Sequence, residues 1–302
     1  MKNVLITTTV IFGLIIHVLF FSCSGSYANG SAEDAHQHDA HSLNAHSPAD
    51  SGIRISMASE PVQLMAGKTA TLLFSVKDRE GRGAQGVSIS HDRILHVIII
   101  SEDLSVFAHV HPEDFGTITP EMVRSAQFGV RYEFPRAGRY LVAADTTVNN
   151  THISNHFMVE VAGQPVMAAP RKDLSGEKKF GDYEVTFSHS PERIIPKKET
   201  LLRYEIKQNG RPVTDLETYL AAPMHIAIVL TDLSDFTHAH GSVPGTHAGH
   251  QPAGHVHGTS PDGFGPVIEA NVVFPVKGTY RIFSEVKHRG NVLVLDFSVD
   301  VE

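Results

Sequence analysis

The chain has 302 residues and a formal net charge of −8, and charged residues make up only 19% of it. This length suffices for two ordinary domains with buried cores. The negative charge leaves no basic surface for nucleic acid, so a nucleic-acid-binding protein is excluded. Histidine is the unusual count: twenty are present, against one cysteine and seven methionines. Neutral imidazole binds zinc, copper and nickel, so metal binding is the first function to consider.

The N-terminus has the features of an export signal. A lysine precedes a mostly apolar run over residues 4–21, and small and polar residues follow it. Cys23 stands directly after this run, as in a lipoprotein signal. The sequence therefore predicts a lipoprotein-type signal peptide over residues 1–22 and a lipid on Cys23. Cleavage after Ala28 and an uncleaved membrane anchor are the two alternatives.

This signal predicts an exported protein of the cell envelope, bound to a membrane by its lipid. Because Cys23 is the only cysteine, the folded part contains none. Structural disulfides and thiolate metal sites are therefore excluded. A blue-copper centre is excluded as well, since it needs a cysteine sulfur on the metal.

Residues 23–52 contain almost nothing to bury and predict a disordered, histidine-rich tether. From residue 53 onward, short apolar runs such as "TATLLFSV", "LHVIII" and "RYLVAAD" alternate with Asp, Gly and Pro turns. No stretch has a sustained helical period with caps. The pattern predicts an all-β chain of sandwich or barrel type.

The second half of the chain repeats the first. "YEFPRAGRYLVAAD" matches "VVFPVKGTYRIFSE", and "FMVEV" matches "FSVDV", in the same order. Two repeats of this size predict two tandem β-sandwich domains rather than a solenoid. We place the first domain at residues 53–162, a linker at 163–181, and the second domain at 182–302. The second domain has a histidine-rich insertion at 241–258.

A histidine-bearing hairpin recurs in both repeats. Residues 96–111 read "HVIIISEDLSVFAHVH", and residues 225–240 read "HIAIVLTDLSDFTHAH". A tight turn at Glu102 and Asp103 would place His96 opposite His109, with His111 two residues further along the same face. The second copy bends at Thr231 and Asp232 in the same way. Opposed and i, i+2 side chains are close enough for three imidazoles to reach one ion.

Each hairpin therefore predicts a three-histidine metal site, a ligand set that zinc sites also use. The predicted ligands are His96, His109 and His111 in the first repeat, and His225, His238 and His240 in the second. The alternative is that these histidines only pack or cap locally at a strand end. A longer turn would keep them close but change which pair is opposed.

The residues of this hairpin resemble a known family. A histidine that opens a strand, then "DL..F.H.H" and later "F...G.Y", is similar to the YtkA-like bacterial exported domains. The resemblance covers both repeats and implies an Ig-like or cupredoxin-like β-sandwich associated with copper and heavy-metal handling. The motif continues as His111–Pro112 in the first repeat, but the second has His240–Gly241.

Several further residues are candidates for weaker roles. We expect Phe107 and Phe236 to anchor the core, and Asp103 and Asp232 to form turns. Auxiliary ligands or outer partners of a metal site are considered at five positions: Asp145, Glu285, His152, His156 and Met224. The alternatives are solvent exposure for His152 and His156 and burial in a strand for Met224. Flexible histidine tracts predict weak, collective metal binding. Their histidines are His36, His38, His41, His46, His247, His250, His255 and His257.

These features favour an exported, membrane-tethered protein that buffers or delivers copper, with zinc as the alternative ion. Its expected partner, besides the ion, is a metal transporter or acceptor protein of the envelope. A structural or adhesive Ig-like module without metal is the first alternative. A zinc-dependent hydrolase is the second. We expect no enzyme, because the chain has no Ser/His/Asp order, no phosphate-binding loop and no suitably spaced general base.

Overall fold

The computed structural model describes residues 51–164, 172–245 and 263–302, together with the backbone of Ser42 and Leu43. The predicted signal peptide, Cys23, the tract histidines and most of the 241–258 insertion lie outside these residues. The strands of the first repeat are β1 (Ser42–Leu43), β2 (Arg54–Glu60), β3 (Leu64–Met65), β4 (Thr69–Lys77), β5 (Val87–Ser88), β6 (His96–Ser101), β7 (Phe107–Val110), β8 (Gln127–Glu133), β9 (Gly138–Val148) and β10 (Thr151–Ala162). The strands of the second repeat are β11 (Glu177–Phe180), β12 (Tyr183–Ser190), β13 (Glu199–Gln208), β14 (Arg211–Pro212), β15 (Leu216–Glu217), β16 (Met224–Leu230), β17 (Phe236–Gly241), β18 (Val267–Val273), β19 (Gly278–His288) and β20 (Asn291–Val301).

The helices of the described residues are short. A 3-10 helix spans Pro112–Asp114, and α1 spans Pro120–Ser125 with Thr119 as its N-cap. Within the described part of the chain, neither is long or apolar enough to cross a membrane.

The first repeat is a sandwich of two sheets. One sheet has the order β2–β4–β8. The other has the order β10–β9–β6–β7, with β1 and β3 along β10 and β5 on β9. Alternate side chains of β4 and β8, such as Phe74 and Phe128, point into the space between the sheets and build the core.

The second repeat has the same arrangement. One sheet pairs β12 with β13 and β13 with β18, and the other has the order β20–β19–β16–β17. Tyr204, Phe274 and Phe297 are among the buried side chains of its core. The prediction of an all-β chain with two tandem Ig-like sandwiches is confirmed.

Strands β6 and β16 are buried on both faces, which is unusual for strands of an antiparallel sheet. One face of β6, with Val97 and Ile99, packs in its own sandwich. The other face carries Ile98 and Ile100 and packs against the second repeat. This third apolar cluster joins the two repeats. Its buried members are Ile98, Ile100, Leu104, Leu141, Ala143, Ala227, Val229, Leu233, Phe236 and Phe283.

The two phenylalanines of the hairpins belong to this junction. Phe236 is buried in it, and Phe107 stacks on Phe283 of the other repeat with ring centroids 4.8 Å apart. The expectation that they are core anchors is confirmed, but the core they anchor is the cluster between the repeats, because their strand face is turned toward the other repeat. Asp103 and Asp232 form turns as expected: their carboxylates accept the backbone N–H of Ser105 and Ser234.

The hairpin register differs from the predicted one by two residues. The turn is longer, since the N–H of Ser101 donates to the carbonyl of Val106. Ile98 therefore pairs with His109, and in the second hairpin His225 pairs with His240 rather than with His238. A shift of two residues preserves the face of every side chain. The histidines thus stay together although their partners change.

Candidate functional site

The six hairpin histidines lie at one end of the junction between the repeats. His96 precedes Ile98 and Ile100 on the inter-repeat face of β6, and His225 has the same place on β16. The hairpins of the two repeats meet there, so the imidazoles form one cluster. Ring centroids of His96 and His109 lie 5.4–5.8 Å from those of His225 and His238. The prediction of two separate hairpin sites is wrong in this respect.

The three histidines of the first repeat converge on one point. His109 Nε2 lies 3.1 Å from His96 Nδ1 and 3.0 Å from His111 Nε2. All three nitrogens lie within 4.8 Å of one another. Two nitrogens bound to one ion at about 2.0–2.1 Å in tetrahedral geometry are roughly 3.3 Å apart, so the spacing suits a common ion.

The other nitrogen of each ring in this triad faces an oxygen that only accepts hydrogen bonds. His96 Nε2 donates to the carbonyl of Ser90 at 3.0 Å, and His111 Nδ1 donates to Asp114 at 3.1 Å. His109 Nδ1 donates to Glu285 at 2.5 Å. Because a neutral imidazole has one N–H, the three converging nitrogens carry lone pairs. Lone pairs at this distance repel one another unless a cation lies between them.

The second repeat repeats part of this arrangement. His225 Nδ1 lies 3.3 Å from His238 Nε2, and its own Nε2 donates to the carbonyls of Tyr219 and Leu220. His240 departs from this arrangement, because its Nε2 is buried and has no hydrogen-bond partner among the described residues. Its ring stacks on His91 of the first repeat with centroids 3.8 Å apart.

Two of the carboxylates that hold the rings come from the opposite repeat. Glu285, beside His225 in the sheet, accepts from His109, and Asp145, beside His96, accepts from His238 at 3.1 Å. Such outer partners fix the tautomer of a metal-binding histidine. The predicted auxiliary role of Asp145 and Glu285 is thus an outer-partner geometry, exchanged between the repeats.

Among the residues that the structure describes, two groups of side chains could hold a metal ion, and His109 belongs to both. One group is His96, His109 and His111, and the other is His109, His225 and His238, whose ligand atoms also lie within 4.8 Å of one another. His240, predicted as the third ligand of the second repeat, is replaced in this group by His109. Since Nδ1 of His109 is bound to Glu285, one nitrogen remains to serve both groups.

Burial favours the neutral, ligating form of these imidazoles. It holds the pKa of His96, His225 and His240 well below the usual 6.5, and the neighbouring histidines act in the same direction. Burial also lowers the pKa of His111 and His238. These five imidazoles are therefore in the neutral form, the form that can ligate a cation, at neutral pH.

Three predicted auxiliary residues lie outside the ligand groups. Met224 points into the core of the second sandwich, on the opposite face of β16 from His225, so its predicted ligand role is wrong. His156 is bonded to Ser154 and packs on Phe236. His152 lines a cavity next to the cluster instead of contacting it as a ligand.

This cavity has a volume of about 280 Å³ and reaches the cluster from one side. His91, Arg93 and His152 line it on the side of the first repeat, and His238 and His240 on the side of the second. Asp145 lines the cavity as well, and its Oδ1 has no hydrogen-bond partner among the described residues.

Comparison with known proteins gives a family. The sequence model of a domain of unknown function (DUF8832) matches residues 48–163 and 178–302, once in each repeat. The chain belongs to this DUF8832 family. No curated protein matches the sequence.

Three solved structures show similarity to the chain at low identity. The fibronectin(III)-like modules of CbhA from Clostridium thermocellum are 12% identical, with 82% of this chain and 94% of that chain covered and a TM-score of 0.20. The Escherichia coli adhesin FdeC is 15% identical, with 83% and 64% covered and a TM-score of 0.21. A DUF4785 family protein from Legionella pneumophila is 8% identical, with 88% and 66% covered and a TM-score of 0.26. Scores this low carry no argument about function.

Sequence reasoning found the six histidines and the two acids but missed that the repeats complete each other's site. The signal was present in "HVIII" and "HIAIVL". A continuous apolar run in an antiparallel hairpin implies burial on both faces, hence a second packing partner. His91 had no signal of its own, since it stands in a turn and has Leu220 as its counterpart in the second repeat.

Proposed function

We propose that this protein is an extracytoplasmic metal-binding protein that buffers or delivers copper, with zinc as the alternative ion. The observation that carries the proposal is the convergence of three imidazole lone pairs at 3.0–3.1 Å in a buried cluster. The outward nitrogen of each ring in this triad carries the N–H, which donates to an acceptor oxygen. A change of tautomer that would place an N–H between the rings, and so relieve the repulsion between the lone pairs, would therefore lose that hydrogen bond.

A purely structural role accounts poorly for this arrangement. A structural or adhesive module would gain stability from apolar side chains here, as it does at the adjoining Phe107–Phe283 pair. Burying imidazoles whose nitrogens face one another costs desolvation energy without a compensating hydrogen bond. A bound cation removes this cost, so the site is best understood as made for an ion.

The donor set supports copper or zinc rather than a hard cation. The ligand atoms of both groups are imidazole nitrogens. The thioether considered as an auxiliary ligand, Met224, lies in the core of the second sandwich. Among divalent first-row ions, nitrogen sites bind Cu²⁺ most tightly, while thiolates and thioethers select Cu⁺. We therefore favour Cu²⁺ over Cu⁺ in this centre.

The shared His109 supports one tightly bound ion per chain. An ion in the group with His96 and His111 and an ion in the group with His225 and His238 would compete for the same nitrogen. The histidine tracts would hold further ions weakly. The sequence features of the N-terminus support a lipid-tethered location in the envelope, where a transporter or acceptor protein would take over the ion.

Equilibrium dialysis with elemental analysis tests this proposal. The full-length exported chain should retain one tightly bound Cu²⁺ or Zn²⁺ after washing with a weak chelator, and additional weakly bound ions before it. A variant with alanine at the eight tract histidines is the matched control, and it should keep the tight ion and lose the weak ones. A protein that retains no ion, or two tight ions, contradicts the one-ion centre.

A further inference from the structure

The two ends of the histidine cluster are formed by equivalent turns of the two repeats, and these turns carry different side chains. Each repeat has a two-residue turn before its first histidine, closed by the pair Ser90 and Arg93 or by Tyr219 and Ala222. The central residues of both turns have positive φ. The backbone is thus the same at the two ends, and the side chains decide what each end does.

At the first-repeat turn, the leading residue is His91. Its ring stacks on His240 at 3.8 Å and lies 5.8 Å from the ring of His225, so it connects the cavity to the cluster. In the second repeat the equivalent residue is Leu220, which is buried. An apolar side chain offers an ion no ligand, whereas an imidazole does.

The residues of the first repeat that line the cavity also differ from their counterparts in the second repeat. The first repeat contributes Thr147, Asn150 and His152, and the second has Lys287, Gly290 and Val292 at these positions. Apart from the histidines, the charged residues in the described lining of the cavity are Arg93 and Asp145, which carry charges of opposite sign. A cation that loses its water shell in the cavity can therefore contact oxygen and imidazole groups of the first repeat.

His240 lines the cavity beside the ligands His96 and His238. Within the described residues its Nε2 is buried without a hydrogen-bond partner, and it belongs to neither ligand group. Its ring centroid lies 4.6 Å from that of His225 and 4.8 Å from that of His238. An imidazole at the boundary between the cavity and the ligands is placed to bind an ion briefly on its way.

From these observations we propose that the cavity is the port of the metal centre, with His91 and His240 as transfer ligands that pass the ion between solvent and the cluster. The inference rests on the proposed metal-binding function and deepens it. It assigns uptake and release to the first-repeat side, and it predicts that the residues of the port set the rates of exchange while the cluster sets the affinity.

Stopped-flow absorption with Co²⁺, whose absorption bands report coordination, tests the role of His91. His91→Leu copies the second repeat and should slow both association and release into excess chelator by about tenfold, the effect of losing one ion contact at the barrier. The dissociation constant should change less than twofold. His189→Leu, the same change in strand β12 of the sheet that does not carry the cluster, is the matched control and should leave both rates unchanged.

The charge at the mouth gives a second test that does not depend on His91. His152→Lys should slow Co²⁺ association several-fold at low ionic strength, and His152→Glu should accelerate it, both effects fading with salt. Val292→Lys and Val292→Glu, at the equivalent position, should change nothing. Both His152 and Val292 are surface residues, so the fold should tolerate all four changes.

The outcomes separate the port from the function. If the wild-type protein binds Co²⁺ but His91→Leu and the His152 variants exchange it at the wild-type rate, the port is refuted and the metal centre stands. If His91→Leu weakens the equilibrium affinity tenfold, His91 is a resident ligand and the transfer role is refuted. If the wild-type protein binds no Co²⁺, Cu²⁺ or Zn²⁺, the proposed function fails, and the port with it.

Discussion

The hairpins of the two repeats have the same three histidines but hold them differently. In the first, Pro112 begins a 3-10 helix directly after His111, and this helix brings Asp114 back under the imidazole. In the second, Gly241 continues the strand after His240. The position equivalent to Asp114 is then Val243, whose side chain has no acceptor for the ring.

The difference between proline and glycine explains why one hairpin is complete and the other is not. Proline ends strand pairing and favours the first turn of a helix. Gly241 instead lets strands pack closely, because a Cβ there would lie 2.6 Å from Ile268 Cγ2 and 3.0 Å from Met224 Cβ. The geometry of the histidine cluster thus depends on the residues that follow the last histidine of each hairpin as much as on the histidines.

The largest loss of ion affinity is expected at His109, the histidine that both ligand groups share. His109→Ala removes a ligand from each group. The affinity for Cu²⁺ or Zn²⁺ should fall by more than the ~10–100-fold typical of losing an outer partner. His240→Ala is the control, and it should cost far less at equilibrium because His240 belongs to neither group. Competition titration against a chelator of known affinity measures both, and equal losses would contradict the shared-ligand centre.

Asp114→Ala should convert the first hairpin into a likeness of the second. His111 loses the acceptor of its Nδ1–H, so its tautomer is no longer fixed. We expect the ion affinity to fall by about 10–100-fold. Asp114 also accepts the backbone N–H of His111, so a thermal unfolding curve of the ion-free variant is needed as a control. Unchanged affinity in a folded variant would show that the outer oxygen has no role.

Much of this comparison was accessible from the sequence. The repeat, the all-β fold and the six histidines follow from local patterns, because alternation, turn residues and duplicated spacing are written along the chain. The loss of proline at Gly241 was visible as well. The hairpin register was missed by two residues, because turn length depends on bonds such as that from Ser101 to Val106.

The meeting of the hairpins could not be predicted in the same way. It depends on how two folded sandwiches pack, and the pairing of His109 with Glu285 joins residues 176 positions apart. No spacing rule reaches across two domains. Two-sided apolar strands indicate that a partner surface exists, but they do not identify it.

The pH dependence of stability is expected to follow from burial at both hairpins. His96, His225 and His240 have pKa values well below 6.5 in the folded state, whereas unfolded histidine titrates near 6.5. Below pH 6.5 the unfolded chain therefore binds protons that the folded chain does not. Stability of the ion-free protein is fully present above this pH and falls below it, by up to about 1.4 kcal/mol per pH unit for each such imidazole.

Denaturant unfolding of the ion-free protein at pH 7.5, 6.5 and 5.5 measures this slope. His225→Gln removes one titrating group and should flatten the slope between pH 6.5 and 5.5 by the amount of one imidazole. A stability that stays constant over this range would mean that the cluster takes up protons in the folded state.

The smallest effect is a gain, and it asks whether the second hairpin can be repaired. Val243→Asp places a carboxylate three residues after His240, the spacing that Asp114 has from His111. Because Gly241 holds the chain in a strand instead of a 3-10 turn, the new carboxylate should reach His240 only part of the time. We expect the ion affinity to rise by no more than about tenfold, the lower end of the effect of an outer partner. The double variant Gly241→Pro with Val243→Asp should bind no more tightly than Val243→Asp alone, because a proline ring at position 241 would meet Ile268 and Met224 in the fold. Competition titration of the three variants decides this, and a double variant that binds more tightly than Val243→Asp would show that the missing proline, rather than the sheet contacts of β17, keeps His240 from its acceptor.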